Sequence, residues 1–370
     1  MIQRFFHPIG QGAFYSERHT FCNINIVYDC GTTDPSSQAK QRVVSQSFRK
    51  DDVIHILFIS HFDKDHISLI DTLKKAVKRI ERVVIPLLHD EEKDFLSGIY
   101  WALGESRLAN LVSNPNEFFG EETKIIEVQP SSDTEIGEIS SLNVSEIDEP
   151  RTEIPSGTPL TIKGFNDYWV YIPFNYEYKN RNNQFLSELQ KEGIDVGRLK
   201  MDPYYILEEN EKIKNIYKSK EISGNINENS MFLYSGPSCK KLGIHFGRMK
   251  YYCKDFFRCC FDYLSHPCHS HRVACLYTGD GDLNKVKVRT IYRTYWDLIG
   301  TIQIPHHGSS ASFNADALDN VCFLCPISVG NENSYGHPSQ KVISEILLKR
   351  SCPILVTENV DSTFVEIIKC

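Results

Sequence analysis

The chain has 370 residues, 41% of them hydrophobic, with a formal charge of −7 and 12 cysteines. That length offers apolar surface for one large domain or two medium ones, and the acidic balance excludes a strongly basic protein that coats nucleic acid, though not a nuclease whose metal ions supply local positive charge. No run of 18 apolar residues suggests a membrane-spanning helix, and the opening "MIQRFFHPIGQGAFYSERH" lacks the apolar core and cleavage site of a signal peptide, so a cytoplasmic location is expected. There the cysteines are expected as buried thiols or metal ligands rather than disulfides.

In chain order, "NINIVYDCG" reads as a strand ending in a turn. "DDVIHILFIS" is a second strand, apolar enough for burial on both faces. It runs into "FISHFDKDHISLI", where His61, Asp63, Asp65 and His66 lie within six positions. "SLIDTLKKAVKRIERV" has apolar residues at helical spacing, and "ERVVIPLL" is strand-like again. Residues 130–160 are polar and broken by Pro and Gly, as in a surface connection or irregular strands. "NNQFLSELQKEG" reads as a helix stopped by Gly193. "SMFLYSG", "VACLYTGD", "TIQIPHHG" and "CFLCPISVG" follow as strands, and "SQKVISEILLKR" as a late helix. This order fits a two-layered β core with helices outside.

A divalent cation needs ligands converging from several segments, and loops at strand ends are rigidly based and can supply them. In "HFDKDH", His61 and Asp63 can point one way and Asp65 and His66 another, so one loop can feed two adjacent metals. Asp280 in "YTGDGD" and His306 and His307 in "IPHHGSS" also follow strands. A carboxylate such as Asp280 can bridge two cations, and a terminal imidazole can close the second site. Such a pair holds a hydroxide and clamps the oxygens of a scissile phosphoryl or acyl group. The opposing account is a polar, solvated loop with a helix N-cap at 61–66 and a turn residue at Asp280.

Seven pieces in order, "IGQGAF", "VYDCG", "SHFDKDHI", "NENSMFLYSG", "YTGD", "IPHHGSS" and "ISVGNENSYGHP", span residues 9–338. Together they resemble the metallo-β-lactamase fold, and within it the hydrolase domain of ComEC-type competence proteins. The resemblance implies an α/β fold, an αββα sandwich with an inserted middle region, in a single domain over 1–370. Insertions are expected at about 90–225 and 238–271. It implies a site of two divalent ions at one edge, and hydrolysis, commonly of a phosphodiester. The implied metal ligands are His61, Asp63, Asp65, His66, Asp280 and His307, with Asp65, His306 and His337 in catalytic roles. Asp63 stands where the His-x-His-x-Asp-His signature has its second histidine. The family's further histidine for the first metal has no assigned counterpart; His89 and His245 fall in the right interval and neither is adopted. Zinc is the first choice, and the carboxylate share shifts preference towards manganese or magnesium. The chain lacks the fused channel of the competence proteins, so DNA import is not implied.

Adjacent residues leaving a strand point oppositely, so His306 and His307 are not expected on one ion. The resemblance favours His307 as ligand and His306 as a substrate contact; strand phase leaves the reverse open. His337 is expected to donate to the substrate's developing charge or its leaving group, or else to be a turn residue before Pro338. Asp29 is expected to orient the ligand loop, or to be a turn residue before Gly31. His7, His19 and His55 are expected as structural. A Ser-His pair from Ser309 or Ser310 is disfavoured, because a metal-bound histidine has no lone pair left to act as base. "YYCKDFFRCCFDYLSHPCHSH" carries Cys253, Cys259, Cys260, Cys268, His266, His269 and His271. It reads as a structural zinc site or as a helix burying Phe and Cys.

Metal-dependent phosphodiesterase or nuclease is the expected activity, with a nucleic acid or nucleotide substrate and a place in a multi-gene stress or defence system. The alternatives are a hydrolase of small esters, thioesters or lactams, or a regulatory module with a remnant site.

Overall fold

Runs rich in Val, Ile, Phe and Tyr pair into two sheets. The computed structural model describes residues 1–132, 136, 139–164, 168–177, 184–218, 230–239, 244–250, 271–318 and 321–369. The first sheet has the order Arg151–Ile154, Lys124–Val128, Arg82–Pro86, Val53–Phe58, Ile24–Cys30, Phe14–His19, Ile2–Phe6, Phe364–Lys369, His245–Lys250. The strands from Ile24–Cys30 to Arg151–Ile154 pair in parallel, and the remainder are antiparallel. The second sheet has the order Cys352–Val356, Leu324–Ser328, Ile299–Ile302, Ala274–Tyr277, Met231–Pro237, Trp169–Tyr176, Leu160–Thr161, Leu142–Asn143. Its first four strands are parallel.

The period of two along each strand sorts side chains between layers. Tyr28, Phe58 and Ile126 of the first sheet share one apolar cluster with Tyr171, Leu233 and Tyr277 of the second. Their neighbours Val27, Leu57 and Ile125 turn outward onto Ile70, Leu73 and Tyr100 of the helices. On the second sheet's other face, Ile172, Phe232 and Leu276 pack with Ile291, Val342 and Ile346. Among the described residues no helix is long and apolar enough to cross a membrane.

The helix expected through Val83 is shorter. It covers Ile70–Ala76, and the chain is then extended, with Arg79–Ile80 and Arg82–Pro86 pairing beside Val53–Phe58. Ladder pairing of β-branched residues overrides the helical spacing of the same apolar positions. The stretch 90–225 supplies strands to both sheets: Lys124–Val128 to the first and Trp169–Tyr176 to the second. Helices Asp90–Ala102 and Ser106–Ser113 form part of the crossover between Arg82–Pro86 and Lys124–Val128. In the 238–271 stretch, His245–Lys250 is a strand of the first sheet. Cys253, Cys259, Cys260, Cys268, His266 and His269 lie outside the described residues.

A polar layer is buried between the sheets. Arg4 Nε donates to Glu17 at 2.7 Å, and its Nη1 donates to Glu366 at 2.6 Å and to the Val273 carbonyl at 3.1 Å. From the second sheet, Tyr277 and Ser235 donate their hydroxyls to Glu17 at 3.0 and 2.7 Å, and Thr301 donates to Glu366. Burial would raise the Glu17 carboxyl, but Arg4 and His19 outweigh it and hold it at about 2. A carboxyl depressed from its ordinary 4.5 to about 2 contributes stability that is full above pH 4.5 and is lost as pH falls towards 2. The size is about 3 kcal/mol. Urea denaturation should therefore show the wild type losing stability between pH 5 and pH 3. Glu17→Gln should be weaker by about 3–5 kcal/mol at pH 7 and flatter across that acid range. Parallel acid profiles for the two proteins would refute the assignment.

Candidate metal centre

In both sheets the carboxyl ends of the parallel strands meet at one edge, where open α/β sheets place ligands. Ile24–Cys30 carries Asp29 near its end, and Val53–Phe58 leads into Ser60–His66. Ala274–Tyr277 leads to Asp280, Ile299–Ile302 to His306 and His307, and Leu324–Ser328 to the loop with His337. Ser230 precedes the antiparallel strand Met231–Pro237 at the same edge, and Met231 N donates to the Ser60 carbonyl at 2.8 Å, tying the two sheets together.

Close backbone approach makes this convergence possible. A Cβ on Gly31 would lie 2.4 Å from Ile67 N and 2.5 Å from the His66 carbonyl carbon, so only glycine lets the Asp29 turn pack under Asp65 and His66. Gly279, at φ +53°, would place a Cβ 2.1 Å from Ser230 Oγ.

Hydrogen bonds fix which nitrogen of each histidine faces the centre. Asp29 accepts from Ser60 N and Ser60 Oγ, both at 2.7 Å, and lies 2.8 Å from His66 Nδ1. His66 therefore donates through Nδ1 and turns Nε2 inward. Ser60 gives its one proton to Asp29, so towards His61 Nδ1, at 2.9 Å, it accepts, and His61 too presents Nε2. His307 Nδ1 donates to the Ser328 carbonyl at 2.8 Å, which leaves its Nε2 facing Asp65 Oδ2 at 2.9 Å. Both nitrogens of His307 are thus committed, and neither serves Ser309 or Ser310. Carboxylates and carbonyls behind ligating histidines set tautomer and basicity in this way.

The inward atoms form one constellation. Asp65, His66, Asp280 and His307 each offer an atom within 4.8 Å of all the others, a group that could hold a metal ion. His66 Nε2 is 3.1 Å from Asp280 Oδ1. On the other side, His61 Nε2 lies 3.5 Å from Asp63 Oδ2 and 3.8 Å from Asp280 Oδ2. Ligands about 2.0–2.1 Å from a common ion stand roughly 3–3.4 Å apart, so this set needs little rearrangement. His61 Nε2, His66 Nε2 and both oxygens of Asp63 are buried with no hydrogen-bond partner. Such atoms are costly unless something satisfies them. Among the described residues, every ion-pair partner of Asp29, Asp63, Asp65 and Asp280 is a histidine. Two buried carboxylates, Asp29 and Asp63, and two mostly buried ones, Asp65 and Asp280, without a lysine or arginine suit a divalent cation.

Electrostatics follow. Burial would lower the His66 imidazole, but Asp280, Asp29 and Asp65 outweigh it and hold it well above its ordinary value. Burial is likewise outweighed at His307, which Asp65 and Asp280 raise. Burial would raise Asp65, yet His66 and His307 hold it at about 2. Burial raises Asp63. In the metal-free protein, therefore, protons sit on His66 and His307, and a cation bound there would have to displace them.

His306 and His307 both face the centre. The expectation of opposite directions assumes extended backbone, whereas these residues have φ +48° and +54°. Two left-handed residues wrap the chain round the site. His307 reaches Asp65, and His306 Nε2 comes within 3.9 Å of Asp280 Oδ2. His337 is half-buried with its ring 5.9 Å from that of His306. Burial, then His306 and His307, lower it to about 4. His89 is exposed at the start of helix Asp90–Ala102, and His245 is exposed on the strand His245–Lys250. Neither is among the residues gathered here. His7 is buried against Ser16 and Phe14, His19 against Tyr171, and His55 accepts from Asn25 N. Ser60 and Ser230 are the additions: Ser230 Oγ accepts from Asp280 N at 3.0 Å. Their signal is only a small hydroxyl beside a ligand residue.

No family model and no curated protein matches the chain.

Asp280→Ala should lose at least one bound ion by elemental analysis after metal-replete purification, and wild type purified free of metal would refute the centre. Asp29→Asn should weaken metal affinity about 10–100-fold in chelator competition. Wild-type affinity should rise with pH as His66 and His307 surrender protons, and calorimetry in two buffers should register proton release; binding without release would contradict the charge arrangement.

Proposed function

We propose that this protein is a metal-dependent hydrolase of phosphodiesters, a phosphodiesterase or nuclease, built as an αββα sandwich of the metallo-β-lactamase type. The observation that carries the reading is the set of buried Nε2 and carboxylate atoms of His61, Asp63 and His66, unsatisfied by hydrogen bonds and, among the described residues, in contact only with one another and with neighbouring carboxylates, converging with Asp65, Asp280 and His307. Two face-to-face sheets with helices packed on the outer faces support the architecture.

His61, Asp63 and Asp280 would hold one ion, and Asp65, His66, Asp280 and His307 a second. Divalent cations there would supply a hydroxide at neutral pH and polarise the phosphoryl oxygens. Asp280 suits the shared position because its Oδ1 faces His66 while its Oδ2 faces His61 and His306. Asp65 and Asp280 keep 13% and 11% of their side chains exposed, against 5% or less for the other four; substrate reaches the centre from their side. His306 contacts the substrate beside Asp280. His337, with its pKa at about 4, is neutral at pH 7. It therefore stabilises developing charge through an N–H hydrogen bond and does not protonate the leaving group.

Removing one such donor costs about 100- to 1000-fold in turnover. His337→Ala should keep its metal and fold and lose that much activity on a bis-aryl phosphodiester, with KM moving less. Zinc- and manganese-loaded protein should be assayed on the phosphodiester, DNA, RNA, nitrocefin and a thioester. Cleavage of only the acyl substrates would sink the phosphodiesterase reading, and full turnover in His337→Ala would sink the role given to that histidine.

A further inference from the structure

The carbonyl of Phe62 lies between two candidate ligands, His61 and Asp63. Tyr100, buried on helix Asp90–Ala102, donates its hydroxyl to that carbonyl. The carbonyl belongs to the planar peptide that continues into Asp63 N and Cα, so a donor that holds its oxygen also fixes the direction in which Asp63 leaves the chain. That direction matters, because Asp63 is the N-cap residue of the short helix Lys64–Ile67. An aspartate there ordinarily turns its side chain back to accept from amides of the first turn. Asp63 makes no such bond, and neither of its oxygens accepts a hydrogen bond. Its Oδ2 instead lies 3.5 Å from His61 Nε2. The helix carrying Tyr100 is itself seated closely: a Cβ on Gly98 would meet Ile206 Cδ1 at 2.3 Å, and Ile206 shares the buried cluster of Phe62, Ile99 and Tyr100. Just after that helix, Glu105 accepts from Lys64 Nζ at 2.5 Å. One helix end thus grips the ligand loop on both sides of Asp63.

We propose that Tyr100 is a positioning residue of the metal centre: by holding the Phe62 carbonyl it keeps Asp63 turned from its own helix towards His61, and so sets the affinity of the ion that His61, Asp63 and Asp280 would hold. The inference rests on the two-ion centre of the reading above and not on its choice of substrate. Without the hydroxyl the Phe62–Asp63 peptide is free to rotate, and Asp63 can cap Lys64–Ile67 instead. The second ion's histidines are fixed from elsewhere, His66 by Asp29 and His307 by the Ser328 carbonyl, so its affinity is not tied to Tyr100. Groups that orient ligands from behind are worth about 10- to 100-fold in metal affinity.

The test is zinc titration of the full chain against a competing chelator, in wild type and in Tyr100→Phe, which removes the hydroxyl and keeps the ring. Wild type should take up two ions in two steps. Tyr100→Phe should weaken one step by at least about 10-fold and leave the other where it is. Two backgrounds identify the step. In His307→Ala, which weakens the second ion, adding Tyr100→Phe should weaken the step that remains. In His61→Ala, which weakens the first, it should change nothing further. A merely structural hydroxyl would lower the melting temperature of the metal-free protein and move neither zinc step, or both alike; either result would overturn the role, as would a wild type that takes up fewer than two ions. Turnover on the bis-aryl phosphodiester is read separately: a wild type that binds two zinc ions without cleaving it loses the phosphodiesterase reading, whereas full turnover with both zinc steps unmoved in Tyr100→Phe loses only this one.

Discussion

The carboxylate of Asp29 is the constraint on which the centre depends. Its two oxygens take the Ser60 amide, the Ser60 hydroxyl and His66 Nδ1. Because Ser60 has one proton to give, this also decides what Ser60 offers His61. One acidic residue therefore fixes the tautomers of two histidines on a neighbouring loop. The residue sits at φ +55°, a conformation that costs about 1–2 kcal/mol for a side chain other than glycine. Three charge-assisted or buried hydrogen bonds, each of order 1–3 kcal/mol, outweigh that.

The same edge concentrates like charge. Asp63, Asp65 and Asp280 join Asp29 in a space whose only described basic partners are imidazoles. A chain of −7 formal charge places carboxylates there at a desolvation cost that imidazoles alone repay poorly. The polar layer between the sheets shows the opposite arrangement, with a guanidinium between two carboxylates and hydroxyls donating from the facing sheet. The first arrangement leaves room for a cation, and the second is already matched by Arg4.

Much of the candidate site is legible in the sequence because its residues cluster directly after apolar strands. His61, Asp63, Asp65, His66, Asp280 and His307 are found this way, and the structure gathers them. What is not legible has physical causes. The orientation of His306 depends on two successive left-handed residues, which no side-chain pattern announces outside glycine. Ser60 and Ser230 act through single hydroxyls common to any loop. The strands Ile2–Phe6, Phe14–His19 and Phe364–Lys369 lack a clean apolar alternation because Arg4, Glu17, His19 and Glu366 occupy buried positions. The helix end near Val77 is hidden because the same β-branched residues satisfy helical spacing and strand pairing.

The pairing of Ile2–Phe6 with Phe364–Lys369 has a bearing on biosynthesis. Arg4 and Glu366 are 362 residues apart in the chain. At 5–20 residues per second a ribosome takes roughly 20–70 s to make that much polypeptide. Throughout this time Arg4 can meet Glu17, which is local, but not its second carboxylate. The parallel strands from Ile24 to Val128 can already be assembling on the nascent chain, while Ile2–Phe6, which has Phe14–His19 beside it at once, waits for its second partner Phe364–Lys369. The interior of the first sheet can therefore assemble on the nascent chain before the seam between Ile2–Phe6 and Phe364–Lys369 is able to close.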